Sequence, residues 1–288
     1  TLPASASNGD EMIFADYART WGTYGITIDS NGLNYQGDDD TFTVEYGTDG
    51  QVVHIVYSDA TNGWIPTLDK TVADVPSKGN SQGIFAYGFG GGSQSMSNLV
   101  NSSGVVSTDV SGVGTTRYNL AACQYGGDKG IFGYGYPTLS MTNLVNSSGV
   151  VGTDVSGVGT GRERLAACSY GSGGGGENGI FGFGNIEPTK QNMTNLVSNT
   201  GVVATDTSGV GTARQSLAAC SYGNDKGIFG YGHTGSTTAI SNLVSNAGVV
   251  ATDVSGVGTA RFFLAACEYG QGKGIFGYGE GSDFSLTN

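Results

Sequence analysis

The chain has 288 residues, of which 24 are acidic and 12 basic, for a formal net charge of −12, and 52 are glycine. That balance argues against nucleic acid as a direct partner, and no run approaches the 18 apolar residues that would mark a membrane-spanning helix. Charged residues are only 12% of the total, while the 38% that are hydrophobic fall in short, regularly punctuated runs. Such a chain reads as ordered, all-β and rich in tight turns rather than disordered.

In chain order, the opening TLPASASNGDE lacks the charged and apolar regions of a secretory leader. Strands are predicted at Glu11–Tyr17, Gly25–Asp29, Thr41–Tyr46 and Gln51–Tyr57, where apolar and polar residues alternate. Asn31-Gly32, Gly37 to Asp40 and Asp49-Gly50 separate them as turns. Residues 1–70 thus form a small antiparallel, sandwich-like module, with Trp21 and Trp64 expected in its core. Thr67–Gln82 reads as a linker or an irregular strand, with Thr71–Val75 as the piece able to serve as a first strand.

Residues 71–288 are dominated by a repeat. Its GIF opening recurs at Gly83, Gly130, Gly179, Gly227 and Gly274, giving periods of 47, 49, 48 and 47 residues. Within the period come NLV, GVV, TD-x-SGVG and R-x-x-LAAC-x-YG. One supersecondary unit is therefore copied, and each copy needs its neighbours to bury its apolar face. Four short strands are expected per unit, at Arg214–Tyr222, Lys226–Gly232, Ala239–Val244 and Gly248–Asp253 in the clearest copy. Four strands in such a period suit a β-propeller blade better than a solenoid coil. Five openings predict five blades, the last without its outermost strand.

Repeated residues and variable residues call for different readings. Cys123, Cys168, Cys220 and Cys267 occupy one position in successive units, too far apart for bridging, and read as buried free thiols. No CxxC or Cys/His pairing supports a metal, and no cofactor motif is present. Asp109, Asp154, Asp206 and Asp253 each precede Arg117, Arg162, Arg214 and Arg261 by eight residues. A role repeated identically in each copy serves the scaffold: the Asp is expected to cap the SGVG turn and pair with Arg between blades. With His54 and His233 in unrelated contexts, no catalytic set can be assembled, so no enzyme is expected. The segments after each aromatic-Gly pair and after each Arg differ between units. Tyr136, His233, Phe262 and Phe263 stand out there as candidate contacts, with faces suited to sugar rings.

The order of a basic residue, the small strand LAAC and then IFGYG resembles a kelch-type blade from Arg117 onward, although Tyr-Gly or Phe-Gly stands where that family has Gly-Gly. The stretch GDEMIFADYARTWGTYGITIDSNG, the closing VVHIVYSDATNGW and the unit NLVSNTGVVATDTSGVGTAR resemble segments of bacteriophage virion appendages. This resemblance implies a tail fibre, tail spike or capsid fibre, commonly a homotrimer. Such a protein would be joined to other virion proteins through its N-terminal module, would act outside the cell and would meet a host glycan or receptor. A secreted or surface lectin and a purely architectural decoration or filament subunit stand as alternatives.

Overall fold

A computed structural model describes residues 1–41, 44–67, 82–171, 178–270 and 272–281. It divides into two compact units, Thr1–Ser77 and Lys78–Asn288. The described residues are all β-strand, bridge and turn, in several small antiparallel sheets.

The first unit contains β1 (Glu11–Ala15), β2 (Ile26–Ile28), β3 (Val44–Tyr46), β4 (Val52–Asp59) and β5 (Gly63–Pro66). The strands β1, β4 and β5 form one antiparallel sheet with β4 in the centre, and β2 pairs with β3 in another. Alternation does the sorting: Val53, Ile55 and Tyr57 of β4 point inward while their neighbours are partly exposed. They meet Trp21, Ile28, Tyr46 and Trp64 in one core. Tyr57 and Trp64 pack edge to face, 5.5 Å apart, on paired strands. Asp16 fixes the hairpin corner by accepting backbone N–H bonds from Thr20, Trp21 and Gly50.

The second unit repeats a three-stranded meander. Three copies are complete. The first comprises β8 (Ala121–Tyr125), β9 (Lys129–Gly133) and β10 (Thr142–Val145); the next is β11 (Ala166–Tyr170), β12 (Asn178–Gly182) and β15 (Thr194–Val197). A small hairpin, β13 (Asn185–Ile186) and β14 (Thr189–Lys190), interrupts that copy. The third is β16 (Ala218–Tyr222), β17 (Lys226–His233) and β18 (Thr237–Val244). Ahead of them β6 (Gly83–Phe89) pairs with β7 (Ser93–Val100), and after them β19 (Ala265–Tyr269) pairs with β20 (Lys273–Gly277). The segment 71–75 lies outside the described residues.

The expectation of four strands per unit is corrected to three. The GVV segment touches the third strand only at isolated bridges, such as Val244 with Val250 and Ser241 with Val254. The reason is side-chain competition for its backbone. Asn242 Nδ2 donates to Ala251 O at 3.0 Å and to Asp253 Oδ1 at 2.9 Å, inserting an amide where a ladder would run.

Successive sheets pack face to face through complementary residues. Phe181, Phe229 and Phe276 project onto the glycines Gly133, Gly182 and Gly230 of the preceding sheet. At Gly182 an added Cβ would stand 2.7 Å from the Phe229 ring, so only glycine admits the ring. Each thiol fills the matching gap in the other direction: Cys123, Cys168 and Cys220 lie against Gly179, Gly227 and Gly274 of the next sheet. The first strands of neighbouring sheets approach closely, as do first strands and the next middle strands, whereas no third strands make a comparable approach. The sheets therefore splay like a fan from their first strands. Among the described residues no closed ring is formed, and β6–β7 shares no substantial packing with β19–β20.

Candidate functional site

The aromatic residue of each aromatic-Gly pair sits in the left-handed region, with φ of 66° at Tyr134 and 62° at Phe183, followed by a glycine at 112° and 105°. In β17 this breaks the pairing register between Gly230 and Gly232. The bulge turns each ring under the guanidinium of the next unit. Arg117, Arg162, Arg214 and Arg261 are fully buried, each 4.1–4.4 Å above the ring of Tyr87, Tyr134, Phe183 or Tyr231. Arg162 also donates to Phe183 O, Thr160 O and Asn195 Oδ1. Burial lowers the basicity of Arg117, Arg162 and Arg214, yet a guanidinium stays protonated near neutrality.

The repeated aspartates do not pair with the Arg eight residues on. Asp154 faces Arg117 at 3.9 Å and Asp206 faces Arg162 at 4.0 Å, each reaching back to the Arg of its own sheet. The stronger link is a relay through Asn. Arg117 Nη2 donates to Asn143 Oδ1 at 2.6 Å, and Asn143 Nδ2 donates to Asp154 Oδ1 at 3.0 Å. Asp154, Asp206 and Asp253 also accept from the backbone N–H and hydroxyl of Thr115, Thr160 and Thr212, capping the SGVG turn before each Arg. That turn needs glycine, because Gly159 has φ +77° and an added Cβ would lie 2.3 Å from Asp206 Oδ1. Burial opposes ionisation of these carboxyls, but the Thr and Asn bonds and the Arg charge together hold them below the usual range. Asp109 accepts from Asn98 at 2.8 Å and has no guanidinium in ion-pair range among the described residues.

Beyond each Arg the chain reaches the variable positions. Asn119, Arg164, Ser216 and Phe263 all adopt φ of 53–56°. They form one column: Arg164 N–H donates to Asn119 O, Ser216 N–H to Arg164 O and Phe263 N–H to Ser216 O, at 2.8–2.9 Å. Beside the column runs a cleft of about 230 Å³, lined by these four residues and by Leu120, Leu165, Leu217 and Leu264. Left-handed non-glycine residues store strain of order 1 kcal/mol each and cluster at functional sites.

The flanking positions gather into aromatic groups. Tyr118 and Tyr136 pair across an antiparallel bridge with rings 4.8 Å apart, and Phe89 packs on Tyr118 at 5.2 Å. Phe262 contacts Phe263 at 4.9 Å and His233 at 5.2 Å. Of the sequence candidates, Tyr136 therefore belongs to one group, while His233, Phe262 and Phe263 share the other. Between the groups lie Glu163, bridged to Asn185, and Gln215, bridged to His233. Glu163 is buried and accepts from Asn119 Nδ2 at 3.0 Å. Here five buried polar atoms have no hydrogen-bond partner among the described residues: Arg164 Nε, Asn185 Nδ2, Gln215 Oε1, Ser216 Oγ and His233 Nδ1. Each such atom costs about 1–3 kcal/mol unless something outside the chain satisfies it.

Sequence reasoning missed Phe89 as a contact, and it missed the Asn relay. The aromatic pair Tyr118/Tyr136 was foreshadowed only by variability at equivalent positions. Comparison with known proteins finds no matching family and no significantly similar curated protein. Among the described residues no three His, Cys, Asp or Glu side chains converge as a metal site would require.

Proposed function

We propose that this protein is a non-enzymatic structural component of a virus particle, a fibre-type appendage that presents its cleft to a host-surface glycan. The repeats act as five kelch-like β-propeller blades whose ring is completed by a neighbouring subunit, and the N-terminal module serves docking and trimerisation within the virion. The fan of sheets, closest at their first strands, supports the blade reading. The virion assignment rests on the appendage-like segments at Gly9–Gly32 and in the NLV unit.

One observation carries the glycan reading: unsatisfied buried donors and acceptors lie between two exposed aromatic groups. A sugar ring offers an apolar C–H face to an aromatic ring and hydroxyls to both donors and acceptors. The groups differ from sheet to sheet, Tyr118 and Tyr136 in one and Glu163 and Asn185 in the next. That asymmetry speaks against a cellular lectin with near-equivalent sites on every blade.

The test is a glycan array probed with the intact chain and with a Tyr118→Ala/Phe262→Ala double variant. Retention by the intact chain and its loss in the variant is expected. No retention at all, or equal retention by both, would overturn the reading. Immunogold microscopy on particles checks location separately, with label expected on fibres and not uniformly over the capsid shell.

A further inference from the structure

The inter-sheet joint is made of two unlike halves, and the repeat unit displays one unmatched half at each end. The leading half is the Phe of the GIF strand and the glycine two residues before it. The trailing half comprises the aromatic residue after the strand and the thiol of the first strand. Inside the unit the ring half is engaged at all four joints and the thiol half at the last three. Phe181 is 0% exposed and packs edge to face on Tyr134 at 5.1 Å. The same contact recurs for Phe132 on Tyr87 and Phe229 on Phe183, and Phe276 lies tilted on Tyr231, all between 5.2 and 5.5 Å. Beside them Cys123, Cys168 and Cys220 fill the space over Gly179, Gly227 and Gly274.

At the leading end the equivalent ring, Phe85, is 65% exposed, and a Cβ on Gly83 would meet only Val100. At the trailing end Tyr278 is 64% exposed, and Cys267 and Tyr269 are exposed as well. Four internal joints thus specify what each end fits, which is the other end. Within one chain the two end sheets share no substantial packing among the described residues.

We propose that the trailing sheet β19–β20 of one copy seats on the leading sheet β6–β7 of a second copy. Phe85 then packs edge to face on the partner's Tyr278, and Gly83 receives the partner's Cys267. Such a contact is heterologous, so it closes a ring of copies or extends as a filament. This goes beyond the glycan reading and does not depend on it.

Light scattering after size exclusion, across a concentration series of the full chain, reads the outcome. Phe85→Asp and Tyr278→Asp change exposed positions, so both variants should keep the far-ultraviolet spectrum of the parent. The parent should gain mass with concentration, and either variant should shift that gain to roughly tenfold higher concentration or abolish it. Mixing the two variants restores one sound joint per pair, and the mean mass should rise above that of either alone. Two results would overturn the proposal. In one, the parent keeps the mass of a single chain at every concentration and both variants melt lower, which means that each chain joins its own ends. In the other, assembly ignores both substitutions, which places the contact elsewhere.

Discussion

Arg162 and Arg164 stand two residues apart and meet opposite fates. Arg162 is fully buried over the Tyr134 ring and donates three hydrogen bonds, one of them to the Asn195 that also holds Asp206. Arg164 occupies a left-handed backbone position at the cleft, and its buried Nε has no partner among the described residues. The first arginine is spent inside the joint. The second is held in reserve at a surface. The chain therefore separates scaffold from display within a single tripeptide, because alternate residues leave the backbone in different directions.

Breaking the joint should produce the largest effect. Arg162→Ala leaves Asn195, Asp206 and the Tyr134 ring face without their cation. It should destabilise the repeat unit by about 3–5 kcal/mol, measured by chemical denaturation. Arg164→Ala should change stability by less than about 0.5 kcal/mol. Equal losses for the two would erase the distinction between them.

Asp206→Ala removes the cap on Thr160 and one end of the Asn relay, for an expected loss of about 1–2 kcal/mol. The same carboxylates make stability depend on pH. Their folded values lie below the ordinary aspartate value of 3.8. The contribution is therefore fully present above 3.8 and is lost as pH falls through the depressed folded values. Asp206→Ala should flatten the acid limb of a melting-temperature profile. An unchanged profile would mean that other acids control that limb.

The smallest effect sharpens the comparison from the other side. His233→Ala should leave the melting temperature within about 2 °C of the parent, because the half-buried ring has no hydrogen bond at Nδ1 to lose among the described residues. A large drop would reassign His233 to the scaffold.

Much of this architecture is legible in the sequence because its causes are local. Glycine-bounded runs such as KGIFG and AAC announce strands, and the recurring GIF announces the unit. Which arginine each aspartate meets was not legible. Eight residues separate Asp154 from Arg162, yet the meander returns Asp154 to Arg117, and spacing along the chain cannot report such a return. The missing fourth strand has a similar origin. GVVATD has strand-forming residues, but Asn242 reaches across and takes the Ala251 carbonyl. At the cleft, the sequence marked Tyr136 and His233 as variable. Their neighbours are set by bridges to Tyr118 and Gln215, each one unit segment earlier in the chain, which local spacing does not report.

The ring-on-glycine joint also bears on heredity. The last three junctions use the same few residues, so a unit inserted or deleted there in register by unequal recombination meets compatible neighbours on both sides. Copy number can then drift without redesign of the interior, while the residues after each Arg change independently. A lineage could lengthen the array and alter what it recognises as two separate events.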